Sequence, residues 1–179
     1  MGNIDIENLP HYTYDDYLLW EGRWEIIGGI PYAMTPAPTV EHQRISQNVA
    51  RNLAEALDNC EQCYALLPVD WKISEDTVVQ PDNLVVCYSP EGEYLTKAPT
   101  LIFEILSKTS AKKDRNIKYD IYEREGVKYY VIVDPAERIA KVYELTSGKY
   151  RKLIDAGNDV VAFDLGLCKI QVNFGKIWI

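Results

Sequence analysis

Basic residues are scarce in this chain, and their scarcity limits the partners that its surface can bind. The 179 residues include 19 Lys and Arg against 27 Asp and Glu, so the net charge is −8. A protein that binds nucleic acid over a broad face neutralises the phosphates with many Lys and Arg side chains. The composition argues against such a face, although a local basic strip or a bound metal ion can reverse the field locally.

Long apolar runs are missing as well. No stretch of about 18 apolar residues occurs, so we expect no membrane-spanning helix. The first residues, MGNIDIENLPHYTYDD, are acidic and lack the basic and apolar regions of a signal peptide. These features predict a cytoplasmic protein that has no membrane partner. A mass of 20.5 kDa predicts one domain, over residues 1–179, with a sizeable core.

Cysteine and histidine are few, with four Cys and two His. Cys60 and Cys63 form a lone CxxC pair, Cys87 falls inside an apolar strand, and Cys168 lies far downstream. A zinc site needs further ligands beside such a pair. We therefore predict buried or incidental thiols, reduced in the cytoplasm, rather than a zinc site.

The order of apolar segments predicts an α/β (α+β mixed) fold with a mixed central sheet. Helices are predicted over 13–20, 39–58 and 110–125, and strands over 62–67, 69–73, 80–88, 99–106 and 127–135. The run RWEIIGGIPYAM predicts an N-terminal hairpin that turns at Gly28-Gly29. The residues after Pro135 predict a C-terminal β-meander.

Two carboxylates lie inside predicted core strands: Asp82 in QPDNLVVCY and Glu104 in TLIFEILS. Burial of a carboxylate is costly unless a partner, hydrogen bonds or a metal ion compensates it. Glu104 alone could face solvent at a sheet edge or pair with a buried Lys or Arg. A separation of 22 residues, however, fits two paired strands joined by a long loop, with both carboxylates near one strand end. Together they favour a site for a hard divalent cation such as Mg²⁺.

The helix after Glu104 carries Asp114, Lys118 and Tyr122 on one face, because they are spaced at i, i+4 and i+8. One interpretation is an exposed ion pair, worth about 0.2–0.5 kcal/mol. The alternative is a Lys118 directed toward the carboxylates. There it could orient a water molecule or stabilise charge that develops on a phosphate.

Further residues form a recognisable pattern with Asp82, Glu104 and Lys118. Downstream of Glu104 they are Leu106, Ser107, Asp114, Lys118, Tyr122, Gly126, Val127, Tyr129, Tyr130, Val133, Asp134 and Pro135. Upstream they are Pro81-Asp82 and RWEIIGGIPYAMTPAPTVEHQRIS, with Glu25, Gly28 and His42. Over about residues 12–145 this combination resembles the Uma-type family of putative restriction endonucleases, within the PD-(D/E)XK nuclease-like superfamily.

The resemblance implies a restriction-endonuclease-like core, in which helices flank the central sheet. It also implies Mg²⁺ or Mn²⁺ bound by Asp82 and Glu104, and hydrolysis of DNA phosphodiester bonds by a metal-bound water. The superfamily's lysine would stand two positions after the glutamate, where this chain has Leu106. Lys118 is our first candidate for the displaced lysine, and Lys72 is the second.

Accessory and phosphate-binding roles are predicted for residues near these three. The possible accessory residues, which could instead cap a helix or form ion pairs, are Glu25, Glu41, His42, Asp114, Tyr122 and Lys72. The possible phosphate-binding strip, which could instead be a solvated helix start, is Lys108, Lys112, Lys113 and Arg115.

A catalytically inactive member of the same fold, acting as a dimeric binding or regulatory module, is the main alternative. The acidic charge and the missing Glu-x-Lys spacing favour it. A nuclease that acts on RNA or another phosphodiester is a further alternative, because a fold does not fix function. The aromatic strands of the second half predict a homodimer.

Overall fold

The computed structural model describes residues 10–34, 37–107 and 114–178, with the backbone alone at 114 and 115. The helical elements are α1 (Tyr14–Tyr17), α2 (Val40–Ala56), a π-helical segment (Asp114–Lys118), α3 (Tyr119–Arg124) and a 3₁₀ turn (Phe174–Lys176). The strands are β1 (Trp24–Ile27), β2 (Ile30–Ala33), β3 (Tyr64–Leu66), β4 (Trp71–Ser74), β5 (Thr77–Val79), β6 (Asn83–Val86), β7 (Leu101–Ile105), β8 (Tyr129–Asp134), β9 (Ile139–Thr146), β10 (Lys149–Ala156), β11 (Val160–Asp164) and β12 (Lys169–Asn173). Among the described residues, no helix has the length and apolar character needed to cross a membrane.

The central sheet has six strands in the order β10-β9-β8-β7-β6-β3. Strands β7 and β8 are parallel, with Leu101 opposite Tyr129, and every other neighbouring pair is antiparallel. A parallel pair requires a crossover connection. The π-helical segment and α3 lie in the connection from β7 to β8. This arrangement confirms the predicted mixed sheet and the α/β class.

Helices cover both faces of this sheet. On one face Ile45 and Leu53 of α2 belong to the same apolar cluster as Phe103 of β7. On the other face Ile121 of α3 clusters with Ile102. Because side chains alternate along a strand, Glu104 projects to the same face as Ile102, toward α3.

The predicted N-terminal hairpin is confirmed and belongs to a second sheet, ordered β2-β1-β5-β4. Ile27 pairs with Ile30 across the turn, where Gly28 and Gly29 have φ of 57° and 76°. Glycine adopts this left-handed region without strain, as a two-residue hairpin turn requires. Strand β5, which the sequence patterns did not predict, pairs with β1 and leads directly to the segment that carries Asp82.

The C-terminal strands are confirmed, but they divide between two sheets. Strands β9 and β10 extend the central sheet, while β11 and β12 form a separate two-stranded sheet. This terminal hairpin packs on α2, where Nδ2 of Asn52 donates to the main-chain oxygen of Asn173 at 2.8 Å.

The predicted helix over 110–125 differs in its described part. From Asp114 onward, the described residues form a π-helical segment and then the α-helix Tyr119–Arg124. A π-helical turn holds more residues than an α-helical turn, since its hydrogen bonds run from i to i+5. The regular i, i+4, i+8 spacing predicted from Asp114 therefore does not apply before Lys118.

The expectation of four reduced thiols is wrong in this structure, because disulfides join Cys60 to Cys168 and Cys63 to Cys87. The pairing of β3 with β6 sets Tyr64 opposite Val86, so the next residues outward, Cys63 and Cys87, face each other. The turn between β11 and β12 brings Cys168 to the end of α2. Both proximities arise from long-range packing.

Candidate active site

Lys118 lies at the centre of the candidate site. Its Nζ is 2.8 Å from Oε1 of Glu25 and 3.0 Å from Oε1 of Glu104. The three residues are 3%, 5% and 5% exposed. Charges buried to this extent persist in a fold only when they are paired and hydrogen-bonded. The ammonium group thus joins the N-terminal hairpin, strand β7 and the crossover helix.

Tyr122 gives Glu104 a second partner. Its hydroxyl donates to the same Oε1 atom of Glu104 at 2.6 Å. Burial, together with the nearby charges of Glu104 and Glu25, raises the pKa of Tyr122 well above its usual value. The phenol therefore stays protonated and acts as a donor. One carboxylate oxygen is fixed by an ammonium group and a phenol from the same helical segment.

Asp82 lies beside this group because of the register of two strands. Asn83 pairs with Phe103, so the residue before β6 meets the end of β7. Oδ2 of Asp82 accepts a hydrogen bond from the main-chain N–H of Ile105 at 2.8 Å, directly after Glu104. The pairing brings Asp82 to the Glu104–Ile105 peptide, at the strand end expected from the sequence.

His42 contacts Asp82 from the opposite face of the sheet. Helix α2 begins at Thr39, whose hydroxyl accepts from the main-chain N–H of His42 at 3.2 Å. This cap directs the first turn toward β6, and Nε2 of His42 lies 3.3 Å from Oδ2 of Asp82. Burial lowers the pKa of His42, but the hydrogen bond and the charge of Asp82 outweigh burial, so the net pKa is raised.

Gln80 closes a ring of contacts that runs from Glu25 through Lys118 and Glu104 to Asp82. The sequence patterns did not predict this ring. The main-chain N–H of Gln80 donates to Oε1 of Glu25 at 2.7 Å, two positions before Asp82. Its side-chain oxygen accepts from Nε and Nη2 of the exposed Arg23, at 3.2 and 3.0 Å. The available signals were the position of Gln80 before Pro81-Asp82 and the spacing of two residues between Arg23, just before β1, and Glu25 within it, which favours one face of an extended chain.

Lys72, the second candidate lysine, is engaged elsewhere. Its Nζ lies 2.7 Å from Oε1 of the exposed Glu75 and 4.6 Å from the ring centre of Tyr14. The amine that contacts Glu104 is the one on Lys118. Of the two candidate lysines, the structure brings only Lys118 to a predicted carboxylate.

Of the remaining predicted residues, only Glu41 has a described side chain, and it is not part of the ring of contacts. Glu41 is exposed in the first turn of α2, where it lines a pocket with Arg44, Pro135 and Trp178. The side chains of Asp114 and Arg115 are not described by the structure. Lys108, Lys112 and Lys113 lie outside the described residues.

The converging side chains carry an excess of negative charge. Glu25, Glu104 and Asp82 contribute three carboxylates, against the ammonium of Lys118 and the imidazole of His42. Carboxylate oxygens are hard ligands suited to Mg²⁺ and Mn²⁺. The arrangement can therefore attract a divalent cation, while Lys118 offers positive charge to an anionic substrate.

Comparisons with known proteins show the family and the fold. Residues 14–173 match the model of a family described as Uma2, putative restriction endonuclease. The fold is similar to the crystal structure of a putative nuclease belonging to DUF820 from Anabaena variabilis ATCC 29413. The TM-score is 0.73 at 19% sequence identity, and the match covers 93% of this chain and 97% of that chain. No curated protein matches. The family match spans most of the sequence, and the chain belongs to the Uma2 family of putative restriction endonucleases.

Proposed function

We propose that the protein is a Mg²⁺- or Mn²⁺-dependent endonuclease that hydrolyses DNA phosphodiester bonds, with Asp82, Glu104 and Lys118 as its catalytic residues. The observation that carries this proposal is the contact between Lys118 and Glu104. The chain lacks a lysine two positions after Glu104, yet a buried ammonium group lies 3.0 Å from that carboxylate. A nuclease of this type needs the positive charge of a lysine beside the carboxylate, and the position of that lysine in the sequence does not matter.

The donor set fits a divalent cation. Asp82 and Glu104 are the two candidate ligands, and Glu25 is a third carboxylate that shares Lys118 with Glu104. Mg²⁺ is typically bound by one or two carboxylates, with water and substrate phosphate completing its coordination. A cation bound here supplies Lewis-acid polarisation of the phosphate and lowers the pKa of a coordinated water.

Lys118 acts on the substrate through its fixed positive charge. Because Lys118 is only 3% exposed and its amine is held by two carboxylates, the position of the amine is set before substrate arrives. A preorganised charge in a site that excludes water stabilises developing negative charge far better than a mobile, solvated one. We propose that Lys118 stabilises the negative charge that develops on the phosphate, or that it orients the attacking water.

Two other residues hold the carboxylates in position. Tyr122 fixes Glu104 by donating a hydrogen bond at 2.6 Å, and His42 contacts Asp82 at 3.3 Å. Hydrogen bonds of this kind orient metal ligands and tune their basicity. We assign Tyr122 and His42 as positioning residues.

DNA is the proposed substrate because of the family's description and the phosphodiester chemistry of the site. Arg23 is an exposed cation that lies near the site's carboxylates, because it donates to Gln80, whose main-chain N–H donates to Glu25. We propose it as a phosphate contact. Lys108, Lys112, Lys113 and Arg115 remain proposed members of the same strip. Phosphate contacts from such residues give affinity without sequence information. A cytoplasmic location is proposed together with this substrate.

A nicking assay on supercoiled plasmid tests the proposal. The wild-type chain should convert supercoiled DNA to open-circular or linear forms with Mg²⁺ or Mn²⁺, and not with a chelator. Glu104→Gln, Asp82→Asn and Lys118→Met should each abolish conversion, while Lys72→Met should retain it. Equal activity of the Lys118→Met and wild-type chains would remove Lys118 from the mechanism. RNA of matched sequence, assayed in parallel, separates a DNA nuclease from one that acts on RNA.

Calorimetric titration with Mn²⁺ separates an inactive binding module from a nuclease assayed on the wrong substrate. Binding that is lost in Asp82→Ala supports the metal site even without cleavage. Absence of binding at millimolar Mn²⁺ would contradict the catalytic proposal and favour the inactive module.

A homodimer, expected from the aromatic strands of the second half, also stays a prediction. Three tyrosines of those strands, Tyr130, Tyr143 and Tyr150, pack against one another inside the chain. Analytical ultracentrifugation tests it.

A further inference from the structure

The four cysteines of this chain gather at one point of the fold, away from the candidate active site. Cys60 and Cys63 follow helix α2, Cys87 follows strand β6, and Cys168 lies in the turn between β11 and β12. The sulfur atoms of Cys63 and Cys168 are 3.9 Å apart, and those of Cys60, Cys63 and Cys168 all lie within 4.8 Å of one another. A disulfide joins Cys87 to Cys63 and completes the cluster.

We propose that, when reduced, this cluster is a four-cysteine site for Zn²⁺. Structural zinc is bound tetrahedrally by four thiolates at about 2.3 Å, which sets neighbouring sulfur atoms about 3.8 Å apart. The separation of 3.9 Å between Cys63 and Cys168, which belong to different disulfides, is close to this value. Three of the four sulfur atoms lie within 4.8 Å of one another, and the disulfide to Cys63 holds Cys87 beside them as the fourth ligand.

The backbone around Cys60 and Cys63 has the form that a metal-binding CxxC pair needs. The N–H of Cys63 donates to the carbonyl of Cys60 at 3.2 Å, so both sulfur atoms come from one tight turn. These two cysteines do not bond to each other, and each is paired with a cysteine from another element. Two ligands from one turn and one from each of two other segments make a closed tetrahedral set.

The surroundings suit a structural zinc site. Cys60 and Cys63 are 7% and 5% exposed and belong to the larger apolar cluster, next to Leu57. Cys87 and Cys168 are half-buried at the edge of the same cluster, which leaves a side from which an ion can enter. Four sulfur ligands in tetrahedral order select zinc or iron–sulfur chemistry over hard cations. This site is therefore chemically distinct from the carboxylates at Asp82 and Glu104.

Zinc at this point would hold the C-terminal hairpin to the rest of the protein. Strands β11 and β12 form a two-stranded sheet, and such a hairpin has little stability alone. Cys168 lies in the turn of this hairpin, and the other three ligands lie at α2 and the central sheet. The two disulfides provide the same connection in the oxidised chain. In a reducing compartment, where thiols persist, the ion takes over this role.

The full-length chain, reduced anaerobically, provides the test. A phosphine converts each disulfide to two thiols and takes the oxygen atom of a water molecule to become phosphine oxide. After its removal, Co²⁺ is added as a spectroscopic probe. Binding replaces four thiol protons, which pass to solvent. We expect thiolate-to-cobalt charge transfer and the visible bands of tetrahedral Co²⁺, saturating at one ion per chain and lost when Zn²⁺ displaces it.

Two sets of variants test which residues bind the Co²⁺ ion. Cys60→Ser and Cys168→Ser should each lose the tetrahedral cobalt spectrum, whereas Asp82→Asn/Glu104→Gln should retain it, because those residues belong to the other proposed site. Under the same reducing conditions, and with Asp82→Asn/Glu104→Gln in every chain to remove the other proposed cation site, Zn²⁺ should raise the thermal unfolding temperature of the chain with four cysteines and leave that of the Cys→Ser chains unchanged. Because this shift is measured without disulfides, it reports the ion alone.

Two results would overturn the proposal. One is a reduced, folded chain with four titratable thiols and no tetrahedral cobalt spectrum at stoichiometric metal. The other is a reduced chain that unfolds and does not refold with Zn²⁺; recovery of the native circular dichroism with Zn²⁺ would support the site. Iron in place of zinc in the purified protein would overturn the choice of ion.

Discussion

Nζ of Lys118 lies 3.0 Å from Oε1 of Glu104, although fourteen positions separate the two residues along the chain. The π-helical segment that ends at Lys118 delivers the amine into the face of the sheet to which Glu104 projects. π-Helical turns occur frequently at functional sites, where they redirect a side chain that a regular helix would aim elsewhere. A lysine expected next to the glutamate on the strand can thus be supplied from the following helix.

Replacement of Lys118 by Met should destabilise the fold as well as abolish cleavage. The substitution leaves the buried carboxylates of Glu25 and Glu104 without their shared cation, which costs about 3–5 kcal/mol when one partner of a buried pair is removed. Urea denaturation measures this free energy. The double variant Lys118→Met/Glu25→Gln should recover part of the loss, since one uncompensated charge is gone. Lys72→Met is the matched control and should change stability little. Equal loss in both lysine variants would contradict the central role of Lys118.

Tyr122→Phe should cost about 1.5–3 kcal/mol, because it removes a buried hydrogen bond to a carboxylate. Tyr150→Phe is a matched control: its hydroxyl is also buried but donates to a neutral acceptor, the main-chain oxygen of Val127, at 2.8 Å. That bond should be worth about 0.5–1.5 kcal/mol. Chemical denaturation of both variants gives the comparison. A Tyr122→Phe variant no less stable than Tyr150→Phe would indicate that the contact with Glu104 contributes no charge-assisted stabilisation.

The two strands near the carboxylates could be predicted from the sequence because their apolar runs are local signals. Glu104 lies within β7 as predicted, whereas Asp82, which was predicted inside a strand, lies one residue before β6 and is only half-buried. The helix predicted to carry Lys118 was also local, but its π-helical start depends on packing that the periodicity does not encode. Strand β5, which is three residues long, was not predicted.

Long-range features could not be predicted in the same way. The hydrogen bond from Gln80 to Glu25 depends on the pairing of β5 with β1. The cysteine cluster depends on the register of β3 with β6 and on the packing of the β11–β12 hairpin. Spacing along the chain gives no information on either. The tyrosines of the second half are another long-range feature, because the sequence does not show that aromatic side chains of different strands pack against one another within one chain. Tyr119 packs against Tyr130, Tyr143 and Tyr150.

Tyr129 should make the protein less stable at alkaline pH. Burial, and then its hydrogen bond to Glu144 at 2.9 Å, raise the pKa of Tyr129 to about 12. A raised pKa in the folded state gives stability that is complete below the unfolded value of about 10. That stability is lost as pH rises through about 12. Unfolding free energies measured by urea from about pH 9 to pH 12 should fall less steeply for Tyr129→Phe than for wild type. Parallel curves would contradict the assignment. Glu144→Gln removes the charged acceptor and should therefore lower the folded-state pKa of Tyr129. The pH range over which stability is lost should become narrower.

Docking of the C-terminal hairpin depends on a buried amide of α2 in addition to the cysteines. Asn52 is 6% exposed, and its side chain both donates to the carbonyl of Asn173 and accepts from its N–H. A buried side chain that satisfies two main-chain groups of another element fixes that element's position. Loss of the Asn52 side chain should loosen the hairpin before it unfolds the rest of the chain. The reason is that β11 and β12 pair with no strand of the central sheet within the described residues.

Asn52→Leu should therefore release the hairpin while the central sheet remains folded. The substitution keeps the size of the side chain but leaves two main-chain groups of Asn173 without this partner, at a cost of about 1–3 kcal/mol for each group that stays buried. Hydrogen exchange measured under reducing conditions, so that no disulfide restrains the hairpin, should become faster over β11 and β12 and unchanged over β7 and β8. Gln47→Leu, at an exposed position of the same helix, is the control and should alter neither region. Uniform acceleration throughout the chain would show that the hairpin unfolds only together with the core.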